Sequence, residues 1–349
     1  MSRGRVYRLS SLFAVFAVVP AVSPGRCDAQ PGIRSVLRVI PGPSSLDRFS
    51  RPLALTADST RGIFLVADTG GHRIAIFDGA GRCRGAVACG TDASGKTPVE
   101  PRSVALDRRG RLYVVDELSH DLEVMTSNGT HLGYIRPAVP PEIAATARPQ
   151  HVAVGASGRI YVLYGGQAPG LAILDPAGKP VGSLGFAASE SGGFKGPVSV
   201  AVNADETEIC IVDPIADQAV QIYGSDGTRL AAFGGHGEGD GTFSLAMHAA
   251  WGPDNTLWVT DTVRHTISIF DSRGKFLNRI GGFGGGPGEF DYPVACAFLA
   301  QDRLVVLERA GARCQVFAVV AGGSRVSQPG ESSGGSGASG TDFASVEVR

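Results

Sequence analysis

Short apolar runs recur along the whole chain, separated by Gly, Asp and Pro residues. Typical runs are the segments VALD (Val104 to Asp107) and LYVVD (Leu112 to Asp116). Apolar runs of this length, bounded by turn residues, predict short β-strands rather than helices. Beyond the N-terminal region no run reaches the roughly 18 apolar residues of a membrane span, so the pattern predicts an all-β chain without an internal transmembrane helix.

The runs are organised in a repeat of six units. Their first strands open at positions 47 to 49 residues apart: Pro52, Pro101, Pro149, Pro197, Ala246 and Pro293. The residues that end the second strands keep the same period: Asp68, Asp116, Tyr164, Asp213, Asp261 and Glu308. Two independent anchors with one period predict a repeat architecture.

Each unit predicts four strands, here called a to d. Strand a is exemplified by Val104 to Asp107, b by Leu112 to Asp116, c by Ile267 to Asp271, and d by Phe276 to Ile280. A Gly recurs in the c–d turn, where a positive φ is expected: Gly81, Gly129, Gly178, Gly227 and Gly274. Four aromatic residues stand three positions before strand a and are predicted to pack between units: Phe49, Phe194, Phe243 and Phe290.

The sixth unit lacks its own c–d hairpin, and the other end of the chain supplies the missing strand. Val36 to Ile40, followed by Phe49, resembles Phe276 to Ile280, followed by Phe290. The predicted fold is therefore a six-bladed β-propeller of four-stranded antiparallel blades over residues 30–322. Its ring is closed by the N-terminal strand, which removes open sheet edges.

The two ends of the chain differ from the repeat. Residues 1–29 have a basic start and an apolar stretch from Leu9 to Ser23, which predicts a signal peptide cleaved before Gln30. A secreted or periplasmic location follows, with an uncleaved membrane anchor as the alternative. Residues 323–349 are Gly/Ser-rich and predict a disordered tail.

Charge and cysteine content narrow the class of protein. The net charge is −1, and removal of residues 1–29, with four Arg and one Asp, leaves about −4. This balance argues against a nucleic-acid partner. Cys210, Cys296 and Cys314 are predicted to be buried in strands, whereas Cys83 and Cys89 pair only if their strand bends.

Two segments carry a family resemblance: VADTGGHRIAIFD from Val66 to Asp78 and VTDTVRHTISIFD from Val259 to Asp271. They resemble the NHL repeat, and the resemblance extends over roughly residues 33–320. It implies a six-bladed propeller that most often serves as an interaction or ligand-binding platform and less often as an enzyme. Since fold does not fix function, the site is argued from residues.

Two sets of histidines occupy fixed repeat positions. His72, His120 and His265 lie four residues after the Asp of strand b, where we expect the Asp to bond the b–c turn and the His to pack it. His151 and His248 lie two residues after the opening of strand a, the innermost strand, and are predicted at one mouth of the central channel. Neighbouring rim positions complete a predicted ligand-binding set: Arg102, Gln150 and Met247, with Ser103 and Ser199 nearby.

A metal hypothesis attaches to this mouth, with His151 and His248 holding Zn or Ca. The resemblance extends to the amidating lyase of peptide-hormone processing, in which a Pro-His pair on three innermost strands holds zinc. Here the residues after the openings are Leu53, Arg102, Gln150, Val198, Met247 and Val294. His151 and His248 come one residue late, and strand alternation would turn them the other way, which argues against zinc lyase activity. The early Glu motif of gluconolactonase-type propellers has no match.

The sequence does not support a phosphate-binding loop or a Ser/His/Asp catalytic site. The Gly-rich stretches 234–239 and 281–286 precede strands rather than helices, which predicts blade-connecting loops and not phosphate cradles. No nucleophile motif for Ser/His/Asp catalysis is present. The sequence thus favours an exported, monomeric, non-enzymatic propeller that binds a protein, peptide or glycan at one face. The alternative is a divergent metal-assisted lyase or hydrolase, lactonase-like or amidating-lyase-like, at the channel mouth.

Overall fold

Six separate four-stranded antiparallel sheets build the protein, and the predicted all-β six-bladed propeller is confirmed. The computed structural model describes residues 31–40, 48–91, 98–117, 122–136, 139–140, 146–167, 169–186 and 193–320. The predicted signal peptide 1–29, the tail 323–349 and His120 lie outside the described residues. None of the described residues belongs to a helix with the length and hydropathy of a membrane span.

The blades follow one another along the chain. Blade 1 consists of β2 (Pro52–Asp58), β3 (Ile63–Asp68), β4 (Arg73–Asp78) and β5 (Cys83–Ala88), and blade 2 of β6 (Pro101–Leu106), β7 (Arg111–Asp116), β8 (Leu122–Thr126) and β9 (His131–Ile135). Blade 3 consists of β10 (Arg148–Val154), β11 (Ile160–Gly165), β12 (Gly170–Leu174) and β13 (Pro180–Leu184), and blade 4 of β14 (Ser199–Val202), β15 (Glu208–Val212), β16 (Val220–Gly224) and β17 (Arg229–Phe233). Blade 5 consists of β18 (Ala246–Trp251), β19 (Leu257–Asp261), β20 (Thr266–Phe270) and β21 (Phe276–Gly281).

Blade 6 joins the two ends of the chain. Its inner strands are β22 (Pro293–Ala300), β23 (Arg303–Glu308) and β24 (Arg313–Val320), and its outermost strand is β1 (Gly32–Ile40). β1 runs antiparallel to β24, with Gly32 opposite Val320 and Ile40 opposite Cys314. The predicted closure is confirmed, and the closing strand is longer than the Val36 to Ile40 segment expected from the sequence.

Burial changes across each blade, and the cores lie between blades. In blade 3, β11 is buried throughout, whereas the outermost strand β13 is exposed over most of its length. Phe290 is fully buried and packs with Trp258 of blade 5 and Phe317 of blade 6. Phe49, Phe194 and Phe243 lie in equivalent clusters between neighbouring blades. The predicted inter-blade role of these aromatic residues is confirmed.

The turns and cysteines also match the expectations. All five c–d turn glycines have φ between 72° and 87°, a region that residues with a Cβ rarely adopt. Cys210, Cys296 and Cys314 are buried in strands. Cys83 is exposed and Cys89 is buried, and neither is part of a disulfide.

Strand direction defines two faces of the ring. Every innermost strand begins on the face that carries the blade-to-blade connections and the b–c turns, here called the connection face. The a–b and c–d turns lie on the opposite face. The Gly-rich stretch 234–239 lies between β17 and β18, and 281–286 runs from the last residue of β21 into the connection to β22, so their assignment as blade-connecting loops is confirmed.

Candidate functional site

A β-bulge follows the opening of five innermost strands. In β10, Pro149 pairs with Tyr164 and His151 pairs with Leu163, which leaves Gln150 as the extra residue. Equivalent register shifts leave four more extra residues: Leu53, Arg102, Met247 and Val294. A bulge interrupts strict alternation, so two consecutive side chains can face the same side.

The bulges bring the predicted residues together at one mouth of the central channel. A cavity of about 160 Å³ is lined by all five predicted ligand residues, Arg102, Gln150, His151, Met247 and His248. Its other lining residues are Arg51, Leu53, Glu117, Val198, Val294 and Arg309. His151 and His248 thus line the predicted mouth. The bulges also invalidate the strict alternation used above to set these histidines apart from those of the amidating lyase.

The two histidines meet across the channel although they belong to blades 3 and 5. Their ring centroids are 5.4 Å apart at an interplanar angle of 66°. His151 Nδ1 accepts a hydrogen bond from the Val200 backbone N–H at 3.4 Å, and His248 Nδ1 accepts one from the Cys296 N–H at 3.5 Å. An Nδ1 that accepts leaves the ring proton of a neutral imidazole on Nε2. Both histidines therefore present an Nε2–H donor.

Burial keeps both rings neutral near pH 7. Burial lowers the pKa of His248 from 6.5 to about 4. Burial also lowers the pKa of His151 well below its ordinary value, with the neighbouring His248 and Arg102 acting in the same direction. The pair thus supplies hydrogen-bond donors without a permanent positive charge.

Arginines supply the charge at this mouth. Arg51 forms ion pairs with Glu100 and with Glu117, the latter at 3.0 Å, and Arg102 Nη1 lies 3.6 Å from Glu117 Oε1. Burial lowers the pKa of Arg102, and Glu117 opposes that shift. Arg309 is exposed, and within the described part of the chain its side chain has no hydrogen-bond or ion-pair partner. Three arginines and one glutamate line the cavity, so the mouth is electropositive.

Sequence reasoning missed Arg51, Glu117 and Arg309. Glu117 and Arg309 directly follow the acidic residue of strand b. In blades 1 and 5 this position holds Thr69 and Thr262, whose hydroxyls donate to the carbonyl of the next blade's opening proline at 2.7 Å. The equivalent residues of blades 3 and 4 are Gly165 and Pro214. A charged residue at a position that is uncharged in the other four blades was the available signal.

The strand-b acids hold the framework around the mouth. Asp68, Asp261 and Glu308 are fully buried. Each accepts a backbone N–H from the segment just before strand a, at 2.6 to 2.8 Å. Asp261 also accepts from Arg264 N in the b–c turn, at 3.1 Å. The expected bond to the b–c turn is found for Asp261, whereas the contact that all three acids share is with the blade connection.

His72 and His265 link neighbouring blades. His72 Nδ1 lies 3.1 Å from the Val99 carbonyl oxygen, and His265 Nδ1 accepts from Tyr292 N at 3.2 Å. Both contacts tie a b–c turn to the connection that leads into the next blade. This arrangement supports the packing role predicted for them.

The donor set at the mouth does not fit a zinc or calcium ion. A metal-ligating histidine normally donates its second ring N–H to an acceptor, whereas His151 and His248 accept at Nδ1 and carry hydrogen on Nε2. Three arginines surround the pair. Across the described ranges, no group of three or more His, Cys, Asp or Glu side chains is placed to hold a metal.

A second, larger cavity of about 790 Å³ lies at the other end of the channel, among the a–b turns. Two aromatic residues, Trp251 and Phe298, contribute to its wall. Its polar lining consists of Ser59, Asn203, Asp205, Asp254, Asn255 and Gln301. No Lys or Arg of the described chain lines it, so the two ends of the channel have opposite charge.

Comparison with known proteins supports the fold. A family model described as a 6-bladed beta-propeller (DUF5128) matches residues 251–311, which extend from the last residue of β18 through the rest of blade 5 and the first two strands of blade 6. No curated protein matches the sequence.

Several solved structures share the fold at low sequence identity. A Bacteroides thetaiotaomicron protein of unknown function aligns with a TM-score of 0.63 and 13% identity, over 84% of this chain and 76% of that one. A Xanthomonas campestris gluconolactonase aligns with a TM-score of 0.59 and 16% identity, over 87% of this chain and 99% of that one. The calcium-binding protein regucalcin of Agrobacterium tumefaciens aligns with a TM-score of 0.57 and 14% identity, over 83% of this chain and 93% of that one. At these identities the likeness concerns the fold alone.

Proposed function

We propose that this protein is an exported, NHL-type propeller that acts as a non-enzymatic binding module. Its ligand carries an anionic group that enters the mouth on the connection face. The observation that carries the proposal is the fixed orientation of His151 and His248, which carry Nε2–H groups and line the same cavity as Arg102 and Arg309. N–H donors and guanidinium groups together suit a carboxylate or another oxyanion.

The charge balance of the mouth supports the same ligand class. Arg51 and Arg102 share Glu117, whereas the described structure gives the Arg309 side chain no partner. A guanidinium without an intramolecular partner is available to a bound anion at little cost in broken contacts. Arg309 is therefore the residue most directly engaged by the ligand.

Calorimetric titration with succinate and with its neutral analogue succinamide tests this proposal. We expect succinate to bind and succinamide not to bind. Arg309→Ala should weaken succinate binding about tenfold, the effect of losing one charge-assisted hydrogen bond. The matched control is Arg273→Ala, an exposed arginine in a c–d turn on the opposite face. Equal binding of the two probes would overturn the anion site.

The enzymatic alternative has its own test. The gluconolactonase and regucalcin neighbours share only the fold with this chain, and the histidine pair does not have the hydrogen-bond pattern of metal ligands. We expect elemental analysis of the purified protein to find no stoichiometric zinc or calcium. About one metal per chain that disappears in the His151→Ala/His248→Ala variant would restore the metal-assisted lyase or hydrolase.

The export part of the proposal rests on the N-terminal pattern of Arg3, Arg5 and Arg8 before the apolar stretch from Leu9 to Ser23. Mass spectrometry of the exported protein should find an N-terminus at Gln30. Full-length chain retained in the membrane fraction would support the anchored alternative instead.

A further inference from the structure

We infer that an apolar arc beside the mouth binds an extended polypeptide segment whose acidic group enters the mouth; this inference rests on the proposed function. The arc consists of four side chains with large exposed fractions: Ile215 (61%), Val263 (50%), Phe283 (73%) and Tyr292 (43%). Exposed apolar side chains that gather on one face mark an interaction site, whereas single scattered ones need no explanation.

The position of the arc sets it apart from the other exposed apolar residues. Those others lie on the outermost strands β1, β9, β13 and β17: Leu37, Val39, Leu132, Tyr134, Val181 and Leu230. Ile215 and Val263 instead stand in the b–c turns of blades 4 and 5, and Phe283 and Tyr292 stand in the connection between blades 5 and 6. The arc therefore lies on the connection face.

Edge-to-face ring contacts fix two members of the arc, Phe283 and Tyr292. The His265 ring lies between Phe283 and Tyr292, with centroid distances of 4.7 Å to each and near-perpendicular planes. His265 Nδ1 also accepts the Tyr292 N–H at 3.2 Å. Aromatic side chains fixed by such contacts lose little conformational entropy on binding, so this part of the surface is preorganised for a partner.

The arc is continuous with the electropositive mouth. The Arg309 backbone N–H donates to the Tyr292 carbonyl at 2.9 Å. Tyr292 is followed directly by Pro293 and Val294, and Val294 lines the mouth cavity. A ligand whose carboxylate reaches Arg309 therefore has its neighbouring groups beside Tyr292, and Phe283 follows on the other contact of the His265 ring.

The extent of the arc favours a polypeptide over a small acid. Its side chains come from the b–c turns of two blades and the connection into a third, which is more surface than one small carboxylic acid covers. An extended chain presents an acidic group and apolar side chains at regular intervals, and can engage the mouth and the arc together.

Calorimetry with three peptides separates this inference from the proposed function. The probes are acetyl-Phe-Gly-Gly with a free carboxylate, the same peptide as its C-terminal amide, and acetyl-Gly-Gly-Gly with a free carboxylate. We expect the Phe peptide to bind about tenfold more tightly than the Gly peptide, as for a buried aromatic anchor. Phe283→Ser should remove that advantage and leave the Gly peptide within about twofold. The matched control is Leu132→Ser, on an outermost strand.

Each outcome decides a different point. Equal affinity for the Phe and Gly acids, with loss on amidation, would overturn the arc and retain the anion site. Equal affinity for the acid and the amide would overturn the anion site itself. Concentration-dependent self-association in sedimentation, abolished by Phe283→Ser, would assign the arc to a second copy of this chain and overturn the peptide inference.

Discussion

The two ends of the central channel are built from the same repeated strands but differ in size and charge. The mouth on the connection face is a cavity of about 160 Å³ with three arginines and a neutral histidine pair. The cavity at the opposite end is about 790 Å³ and is lined by acids, amides and two aromatic residues. Five of the six innermost strands have a β-bulge one residue after the opening, which places additional side chains at the mouth, whereas only β22 has a register shift near the other end, between Phe298 and Ala300. The larger cavity at the other end is lined mostly by residues in and beside the a–b turns.

The largest expected effect comes from opening the ring, because both ends of the channel depend on its closure. Deletion of Gly32 to Ile40 removes the whole ladder between β1 and β24, including buried Ile40. We expect the free energy of unfolding to fall by roughly 4 kcal/mol or more, from lost burial and backbone hydrogen bonds. Urea unfolding measures this change. The control is Leu37→Ser on the exposed side of β1, and an unchanged unfolding curve for the deletion would contradict closure by this strand.

The second-largest effect is a pH dependence of stability, which arises at the end of the channel that holds the histidine pair. The folded-state pKa of His248 is about 4, below the 6.5 of an unperturbed His. Between pH 6.5 and about 4 the unfolded chain therefore binds a proton that the folded chain does not, so stability falls on acidification. His248 alone accounts for about 3 kcal/mol over this window, and the lowered pKa of His151 acts in the same direction.

Unfolding measured from pH 7 to pH 4 tests this linkage. We expect His248→Gln to flatten the pH dependence of the free energy of unfolding. The control His236→Gln, on an exposed loop, should reproduce the curve of the unsubstituted protein. An unaltered slope in the His248 variant would contradict the buried neutral pair.

A third test reverses one charge at each end. Arg309→Glu should weaken succinate binding by about 2 kcal/mol, because a carboxylate then faces the ligand's own carboxylate. Asp254→Lys, in the opposite cavity, should leave the succinate affinity within about twofold. Calorimetry measures both changes. Equal effects from the two variants would show that the whole field of the protein, rather than the local mouth, attracts the anion.

The smallest effect concerns the opposite end. Asp254 is exposed and has a left-handed backbone conformation with φ of 55°, which Asn adopts readily. Asp254→Asn should change the free energy of unfolding by no more than about 0.5 kcal/mol. Thermal unfolding checks this, and a larger loss would show that the carboxylate supports the fold at that end.

The sequence predicted the blades well because every blade repeats the same signals. The openings, the strand-b acids and the c–d glycines each recur with one period, so local misreadings of one unit are corrected by the others. The closing strand was also predictable, since Val36 to Ile40 and Phe49 copy a pattern found inside the chain.

The site was only partly predictable. Arg102, Gln150, His151, Met247 and His248 were assigned to the mouth, and the structure brings them together. The directions of their side chains could not be predicted, because a β-bulge leaves no mark in the apolar pattern. The contact between His151 and His248 spans blades 3 and 5, and no local pattern reports a meeting across the ring axis. The apolar arc was not predicted, because Phe283 lies in a Gly-rich loop, where the hydrophobic periodicity carries no information.

The pairing of β1 with β24 also fixes how the ring is oriented relative to anything joined to its ends. Gly32 and Val320 are neighbours, and both lie on the face away from Arg309, because Ile40 and Arg313 are at the connection face. The first and last strands of the described chain thus place Gly32 and Val320 side by side on the face opposite the mouth. A surface attached next to Gly32 or Val320 would lie opposite the mouth, so a protein immobilised there would keep the mouth cavity uncovered for ligand capture.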